Sequence, residues 1–185
     1  MKLPIGQTSK SNSGTACSKA ICITSNALEK LALYVELSSH EISGLGFVDS
    51  SGDNLIITDV FILRQRCFHS YTELLPEAVA EFMLDAVNAG KDPETIKLWW
   101  HSHANMDVFW SSIDEYTARG FGNDFMLALV LNKSGDYLCR LDLFQPTPLT
   151  LHELPLRIIV DHNTNDILGT RIDQEIQSHV EIYSR

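Results

Sequence analysis

The chain has 185 residues, of which 44% are hydrophobic, and this size indicates one globular domain over residues 20–185 with little room for a second. The formal net charge of −10 argues against nucleic acid as the main partner, because phosphate contacts need clustered Lys and Arg. No apolar run approaches the length of about 18 residues that a membrane helix needs, and no signal peptide is recognisable, so we expect a cytoplasmic protein without a membrane partner.

The cysteines indicate reduced thiols. There are four, at scattered positions without a C-x-x-C pair, so neither a disulfide framework nor a zinc knuckle is indicated. This usage agrees with a reducing cytoplasm. The four positions are Cys17, Cys22, Cys67 and Cys139.

The N-terminal part of the chain predicts an arm, a strand and a helix. Residues 1–19 are rich in Ser, Gly, Thr and Lys without periodicity, which is typical of a flexible arm. A short strand is predicted over residues 20–24. Asn26 with Glu29 three residues later resembles a capping box and predicts a helix that ends near Ser39. Its expected apolar face consists of Leu28, Leu31, Ala32 and Val35.

Two strand-like runs follow, residues 41–49 and 55–63, and the Ser, Gly and Asp residues between them predict a hairpin. Residues 64–75 have no clear period and predict an exposed loop. A second helix is predicted from Pro76, near its first position, to Gly90, just past its end. Its expected apolar stripe consists of Val79, Phe82, Met83, Ala86 and Val87.

The second half of the chain predicts further strands and two helices. Residues 97–103 predict a strand, and residues 111–119 a short helix that begins at one of two serines. Residues 125–132 and 137–144 predict a second hairpin whose first strand is buried. An extended stretch is expected around residues 149–160. A terminal helix is predicted from the apolar stripe of Leu168, Ile172, Ile176 and Val180.

Four chemically active side chains stand at a distinctive spacing inside residues 98–117. The pattern is H-x-H, seven residues, then S-x-x-D, formed by His101, His103, Ser111 and Asp114. Because the side-chain period of a strand is two, both imidazoles point to one face and can converge on one metal ion. Asp114 can return to that point if a helix begins near Ser111. Two nitrogens and one oxygen suit zinc, and three protein ligands leave a fourth position for water, as in a catalytic site.

Each part of this pattern also has a structural interpretation. Ser-x-x-Asp before a helix is close to a capping box, and the helix dipole favours Asp114 in a first turn whatever its function. Histidines on a strand are more often hydrogen-bonded than bound to a metal. The combination is rare by chance, however, and favours a metal site. The two interpretations coexist, since a capped helix presents Asp114 rigidly to a metal.

Hydrolysis at a metal also needs a group that moves protons, and Glu41 is the candidate. It stands at the start of a hydrophobic strand, and Gly44 and Gly46 allow the backbone to pass close to another group. A solvated glutamate at a strand end is the alternative interpretation.

These residues resemble the signature of the JAMM (MPN+) metalloprotease family. That signature is an upstream Glu, here Glu41 in E-I-S-G-L-G, then H-[ST]-H, seven residues and S-x-x-D, with an aromatic residue before the first His. The likeness spans roughly residues 21–144. It implies an α+β fold with a curved, mostly antiparallel sheet flanked by helices. It also implies a zinc-dependent peptidase that removes ubiquitin or a ubiquitin-like protein.

The resemblance implies a role for each motif residue. Glu41 would act as the general base and then deliver a proton to the leaving amine. Ser111 would hydrogen-bond the substrate carbonyl oxygen or the tetrahedral intermediate, in which case Ser112 is the better helix N-cap. The ligands of one zinc ion per chain would be His101, His103 and Asp114.

Three aromatic residues beside the motif are candidates for a substrate groove. Trp100, Phe109 and Trp110 flank the expected ligands, and some of these aromatics are expected to be simple core residues. A groove next to the metal would hold an extended C-terminal tail, and a tail ending in glycine would fit a narrow one by strand addition.

The leading functional hypothesis is a zinc isopeptidase for a ubiquitin-like protein that is conjugated to lysine or carried as a precursor. The compact length resembles prokaryotic stand-alone members, some of which accompany ubiquitin-like conjugation genes in bacterial operons, including antiviral ones. A noncatalytic MPN-type binding scaffold and a peptidase linked to a sulfur-carrier protein stay open as alternatives. A DNA-repair relative with the same spacing is disfavoured by the acidic charge. The oligomeric state is left open.

Overall fold

The computed structural model of the protein describes residues 20–68, 71–122, 124–160 and 168–183, and the expected arm, residues 1–19, lies outside them. Within this part of the chain the fold is mixed α+β, with a mostly antiparallel eight-stranded sheet and four helices, as the sequence predicts. No helix in the described ranges has both the length and the apolar character needed to cross a bilayer.

Helices and strands are interspersed along the chain. The helices are α1 (Ser25–Leu37), α2 (Pro76–Asn88), α3 (Ser112–Gly120) and α4 (Leu168–His179). The strands are β1 (Ile21–Thr24), β2 (Ser43–Ser51), β3 (Asn54–Ile62), β4 (Gln65–Cys67), β5 (Thr72–Leu74), β6 (Ile96–Ser102), β7 (Phe125–Leu131), β8 (Tyr137–Leu143), β9 (Leu149–Leu151), β10 (Leu156–Ile159) and β11 (Val180–Ile182).

The main sheet has the strand order β10-β1-β3-β2-β6-β7-β8-β9, and a small second sheet has the order β11-β4-β5. β6 lies near the middle of the main sheet, antiparallel to β2 and parallel to β7. The pairs β2–β3 and β7–β8 are the two predicted hairpins. The central position of β6 buries every residue along its length.

Successive residues of β6 contribute to different halves of the core. Leu98 and Trp100 pack with apolar residues of α1 and α4, whereas Trp99 belongs to a cluster that includes residues of α2 and α3. Trp100 is fully buried and stacks on Tyr34 of α1, with ring centroids 5.6 Å apart. This packing requires glycine at position 44, opposite Trp100 on β2. A Cβ added to Gly44 would lie 1.9 Å from the carbonyl oxygen of Phe61 and 2.8 Å from the Trp100 ring.

Four local expectations are wrong. The cap of α1 is Thr24, whose hydroxyl accepts a hydrogen bond from the backbone N–H of Ala27 at 3.2 Å, and not Asn26. The expected exposed loop over residues 64–75 contains β4 and β5, because β4 pairs with the distant β11 as well as with β5. Val180 opens β11 and does not extend the stripe of α4.

The fourth concerns the outer side of α2. The helix has its expected bounds, with Pro76 as its first residue, but Met83 is 44% exposed and Val87 is 52% exposed. The narrower stripe of Ala78, Val79, Phe82 and Ala86 makes the contact with the core.

Candidate metal centre

The two histidines of the motif converge at the end of β6. His101 is part of the strand, and His103 follows it, with its backbone N–H donating to the carbonyl oxygen of Leu131 on β7 at 2.9 Å. Both histidines are 3% exposed, and their Nε2 atoms are 3.3 Å apart. The strand period therefore places both imidazoles on one face, as the sequence predicts.

A backbone carbonyl orients His103. Its Nδ1 lies 2.7 Å from the carbonyl oxygen of Asp107, in the loop that follows the strand. A carbonyl can only accept, so Nδ1 carries a hydrogen, while Nε2 on the other side of the ring faces Nε2 of His101. Metal-binding histidines in proteins commonly have this arrangement, in which one ring nitrogen is held by a carbonyl and the other is left for the metal.

His101 is held by aromatic rings. Trp99 stacks on it at 4.8 Å between centroids, and Trp110 contacts it edge-on at 5.7 Å. The pKa of His101 is lowered to about 4, mainly by burial; the charge of Asp114 opposes this, and His103 and Arg140 add to it. The imidazole is therefore neutral near pH 7, which is the form that binds metals.

A capping box at the start of α3 presents Asp114. The Ser111 hydroxyl accepts a hydrogen bond from the Asp114 N–H at 3.1 Å, and Oδ2 of Asp114 accepts one from the Ser111 N–H at 2.7 Å. The other carboxylate oxygen, Oδ1, lies 3.4 Å from Nε2 of His101. One oxygen thus holds the helix start while the other faces the histidines, so the capping and ligand interpretations hold together.

The helix cap differs from the expected one. Ser111 is the N-cap of α3 and Ser112 is its first residue, so the expectation that Ser112 is the better cap is wrong. Asp114 completes the capping box with Ser111, whereas Glu115, at the same spacing from Ser112, pairs with Arg140. In this contact the Ser111 oxygen acts as an acceptor, and its hydroxyl hydrogen stays available for a further acceptor.

The three side chains together could bind a metal ion. Their candidate ligand atoms all lie within 4.8 Å of one another, and the residues are His101, His103 and Asp114. A donor set of two imidazoles and one carboxylate is suited to divalent first-row transition metals. Convergence of three such donors at one buried point satisfies the first requirement of a metal centre.

Glu41 lies at the same place. It is 7% exposed and stands two residues before β2, so it does not begin the strand as expected. Ser102, between the two histidines, fixes this segment: its hydroxyl accepts from the Ile42 N–H at 3.1 Å, and its N–H donates to the Ile42 carbonyl at 2.8 Å. Glu41 lines one cavity with His101 and Asp114, which the sequence places sixty and more residues away.

Three polar residues of this region were not anticipated from the sequence. Tyr71 and Thr72 line the same cavity, and Gln65 is fully buried beside it. The Gln65 side chain accepts from the Ser43 N–H at 2.8 Å and donates to the Ser43 carbonyl at 2.9 Å, so it replaces a strand partner for that residue. All three belong to the segment expected to be a loop, and no local periodicity distinguishes them.

The three aromatic candidates have different positions. Trp100 cannot line a groove beside the metal centre, because it lies on the opposite face of β6 from His101, and that expectation is wrong. Phe109 is 49% exposed and packs edge-on against His103 at 4.6 Å. Trp110 is half-buried between His101 and Arg140. Phe109 and Trp110 therefore lie at the site, and Trp100 belongs to the core.

Comparisons with known proteins relate this chain to others by fold alone. No protein-family model matches the sequence, and no curated protein matches it. Among solved structures, the solution structure of protein DSY2949 from Desulfitobacterium hafniense is similar, with a TM-score of 0.55 and 17% sequence identity. The match covers 77% of this chain and 97% of that one. At this identity the likeness indicates a shared fold between this chain and DSY2949.

Proposed function

We propose that the protein is a zinc-dependent peptidase that cleaves after the C-terminal tail of ubiquitin or a ubiquitin-like protein. The observation that carries this proposal is the position of Glu41. A buried carboxylate that lines one cavity with His101 and Asp114 supplies the proton-transfer group that a binding site alone does not need. The motif resemblance to JAMM peptidases supports the same assignment for each of these residues.

Two of the three separations between donor atoms match zinc coordination, and all three donor atoms lie within 4.8 Å of one another. Zinc–nitrogen bonds of about 2.0–2.1 Å at tetrahedral angles place neighbouring donor atoms about 3.3–3.4 Å apart. The separation between the two Nε2 atoms is 3.3 Å, and that between Nε2 of His101 and Oδ1 of Asp114 is 3.4 Å. Three protein ligands leave one coordination position for a water molecule or substrate, which is the arrangement of catalytic zinc sites.

The residues of the site divide the chemistry between them. Bound zinc supplies Lewis-acid chemistry, which polarises a carbonyl group and lowers the pKa of water. Glu41 accepts the proton of the attacking water and returns it to the leaving amine, which needs one proton to depart. The Ser111 hydroxyl donates to the substrate carbonyl oxygen as negative charge develops there, while its own oxygen stays bonded to the N–H of Asp114.

The cavity that Glu41 shares with His101 and Asp114 is small. Its volume of about 10 Å³ is room for about one water molecule, so a substrate would lie across its mouth and not inside it. A peptide tail with glycine at its end passes through a narrow site because it carries no side chain there. In this proposal Phe109 and Trp110, which contact His103 and His101, bind residues of the tail before the scissile bond.

Separate variants distinguish metal binding from proton transfer. We expect Glu41→Gln to keep a full complement of zinc but to lower cleavage of a ubiquitin-like fusion by about 10²–10⁴-fold, the usual range for losing a general base. His103→Ala should lose both zinc and cleavage. Glu36→Gln, which changes an exposed glutamate on α1, is the matched control and should leave both unchanged.

Intact mass of the reaction products reports cleavage, and metal analysis of the same samples reports zinc. A protein that lacks zinc and resists chelators would support the noncatalytic scaffold instead. A zinc-loaded protein whose Glu41→Gln variant cleaves at the wild-type rate would overturn the mechanism. Equal cleavage of a fusion in which a bulky residue replaces the last glycine of the tail would remove the proposed tail selectivity.

A further inference from the structure

We propose that Arg140 is a positioning residue that holds the start of α3, and with it Asp114 and Ser111, in the geometry of the metal centre. This inference rests on the proposed role of that centre. Arg140 lies on β8, two strands from β6, and register places it opposite Ala128, which is opposite Trp99. Its side chain therefore shares the face of the sheet that carries the histidines.

Arg140 contacts the residues next to both ends of the capping box. Its guanidinium carbon lies 4.2 Å from the centre of the Trp110 ring, and Trp110 directly precedes Ser111. Its Nη1 donates to Oε1 of Glu115, which directly follows Asp114. One buried cation thus holds the residues before and after the segment from Ser111 to Asp114.

Residues of β8 and β9 also hold the same guanidinium in place. Nε donates to Oδ2 of Asp142 at 3.0 Å, and Oδ1 of Asp142 accepts from the Thr150 hydroxyl on β9 at 2.7 Å. Arg140 has no exposed surface, so its charge must be compensated locally, and the carboxylates of Asp142 and Glu115 do this. A side chain fixed in this way can restrain α3 against the sheet.

The helix itself has little other attachment to the core. Its buried residues are Asp114 and Ala118 alone, while Ile113 is 43% exposed and Tyr116 is 82% exposed. A helix of nine residues with one small buried apolar side chain gains little from apolar burial, and short helices are marginal without tertiary contacts. The contacts of Arg140 therefore matter more here than a salt bridge would on a well-packed helix.

Amide hydrogen exchange in the metal-free full-length protein tests this directly. The reporting amides are those of Ser111, Asp114 and Glu115, which donate within the helix start. We expect Arg140→Met to speed their exchange by at least about tenfold relative to amides of β7, because the helix start opens locally. Arg119→Met, which alters an exposed arginine on α3, is the matched control and should leave the pattern unchanged.

Arg140→Lys separates charge from shape. Lysine keeps the positive charge but lacks the planar group that stacks on Trp110 while donating to two carboxylates, so we expect fast exchange in this variant too. Cobalt is a probe with a visible tetrahedral spectrum. It should bind to Arg140→Met at least about tenfold more weakly than to the wild type, because losing a residue that orients a metal ligand commonly lowers metal affinity by that much.

Unchanged exchange at Ser111, Asp114 and Glu115 in Arg140→Met would overturn the inference. If that variant does not fold, Glu115→Gln replaces it, since this partly exposed carboxylate can be neutralised while Arg140 remains. Glu115→Gln should speed the same exchange by about threefold or more, and no change would again overturn the inference. The exchange result is independent of cleavage, so an inactive but metal-binding wild type would refute the proposed function and leave this inference standing.

Discussion

The neighbours Trp100 and His101 lie on opposite faces of β6 and are held in different ways. Trp100 is surrounded by aliphatic and aromatic side chains and stacks on Tyr34. His101 lies among a carboxylate, a second imidazole and aromatic rings on the other face. The apolar face therefore stabilises the strand that carries the site, and this stability keeps buried titratable groups close together on the polar face.

The largest expected effect is on the apolar face. Trp100→Ala should lower the free energy of unfolding by about 3–5 kcal/mol, because it empties a fully buried ring site. Phe109→Ala, which removes an aromatic ring that is 49% exposed beside His103, should cost far less. Denaturant unfolding of both variants measures the difference, and similar losses for the two would break the distinction between the faces.

A smaller loss of stability is expected at Gly44 of β2, which lies close to the Trp100 ring. Gly44→Ala should destabilise the protein by about 2–3 kcal/mol, because the added Cβ would overlap the Phe61 carbonyl and the Trp100 ring. Gly120→Ala is the control, since nothing lies within 4 Å of the added atom there. Thermal unfolding compares them, and a neutral Gly44→Ala would show that β2 can move away from β3.

The free energy of unfolding should depend on pH through His101 on the polar face. The pKa of His101 is about 4 in the folded protein and about 6.5 when unfolded, so between these values the unfolded chain binds more protons. The stabilisation from the neutral buried imidazole is complete above pH 6.5 and is lost as the pH falls. Between pH 7.5 and 5 the metal-free protein should lose about 2 kcal/mol from this group.

The readout is the difference in unfolding free energy between wild type and His101→Gln across that pH range. The variant lacks the buried imidazole, so its stability should fall less steeply on acidification. His152→Gln, at an exposed histidine, should follow the wild type. Parallel curves for wild type and His101→Gln would contradict the assignment of a buried neutral His101.

The smallest expected change in stability separates the two roles of Ser111. Ser111→Ala should cost about 1 kcal/mol through loss of the N-cap, Ser111→Gly only a few tenths, and Ser112→Ala close to nothing. If the hydroxyl also donates to the substrate, both Ser111 variants should lower cleavage by about 10²–10³-fold. Full cleavage by the stable Ser111→Gly variant would restrict Ser111 to its capping role.

Local patterns in the sequence were sufficient for much of the fold and for the residues that converge at the candidate metal centre. The capping box and the strand period both act over a few residues, so the amino-acid sequence was enough to place Ser111, Asp114, His101 and His103. The same period places Trp100 on the face away from the histidines, so the prediction that it lines a groove is wrong.

What the sequence could not reveal depends on contacts between distant segments. Gln65 and Thr72 lie in short strands of a sheet that is completed by β11, more than one hundred residues later, which pairs with β4. In the sequence, Arg140 is one of the polar residues of a strand with alternating polarity. Its burial follows from α3, which lies close to β8 and contacts Arg140 through Glu115. Neither arrangement has a signal in local spacing.

Calorimetric titration of zinc into the metal-free protein tests the central claim, the metal centre on the polar face of β6, most directly. We expect one zinc ion per chain for the wild type and for Glu41→Gln, and no binding at this site for Asp114→Ala, because the carboxylate supplies one of three ligands. Failure of the wild type to bind zinc, or unchanged binding by Asp114→Ala, would contradict the account.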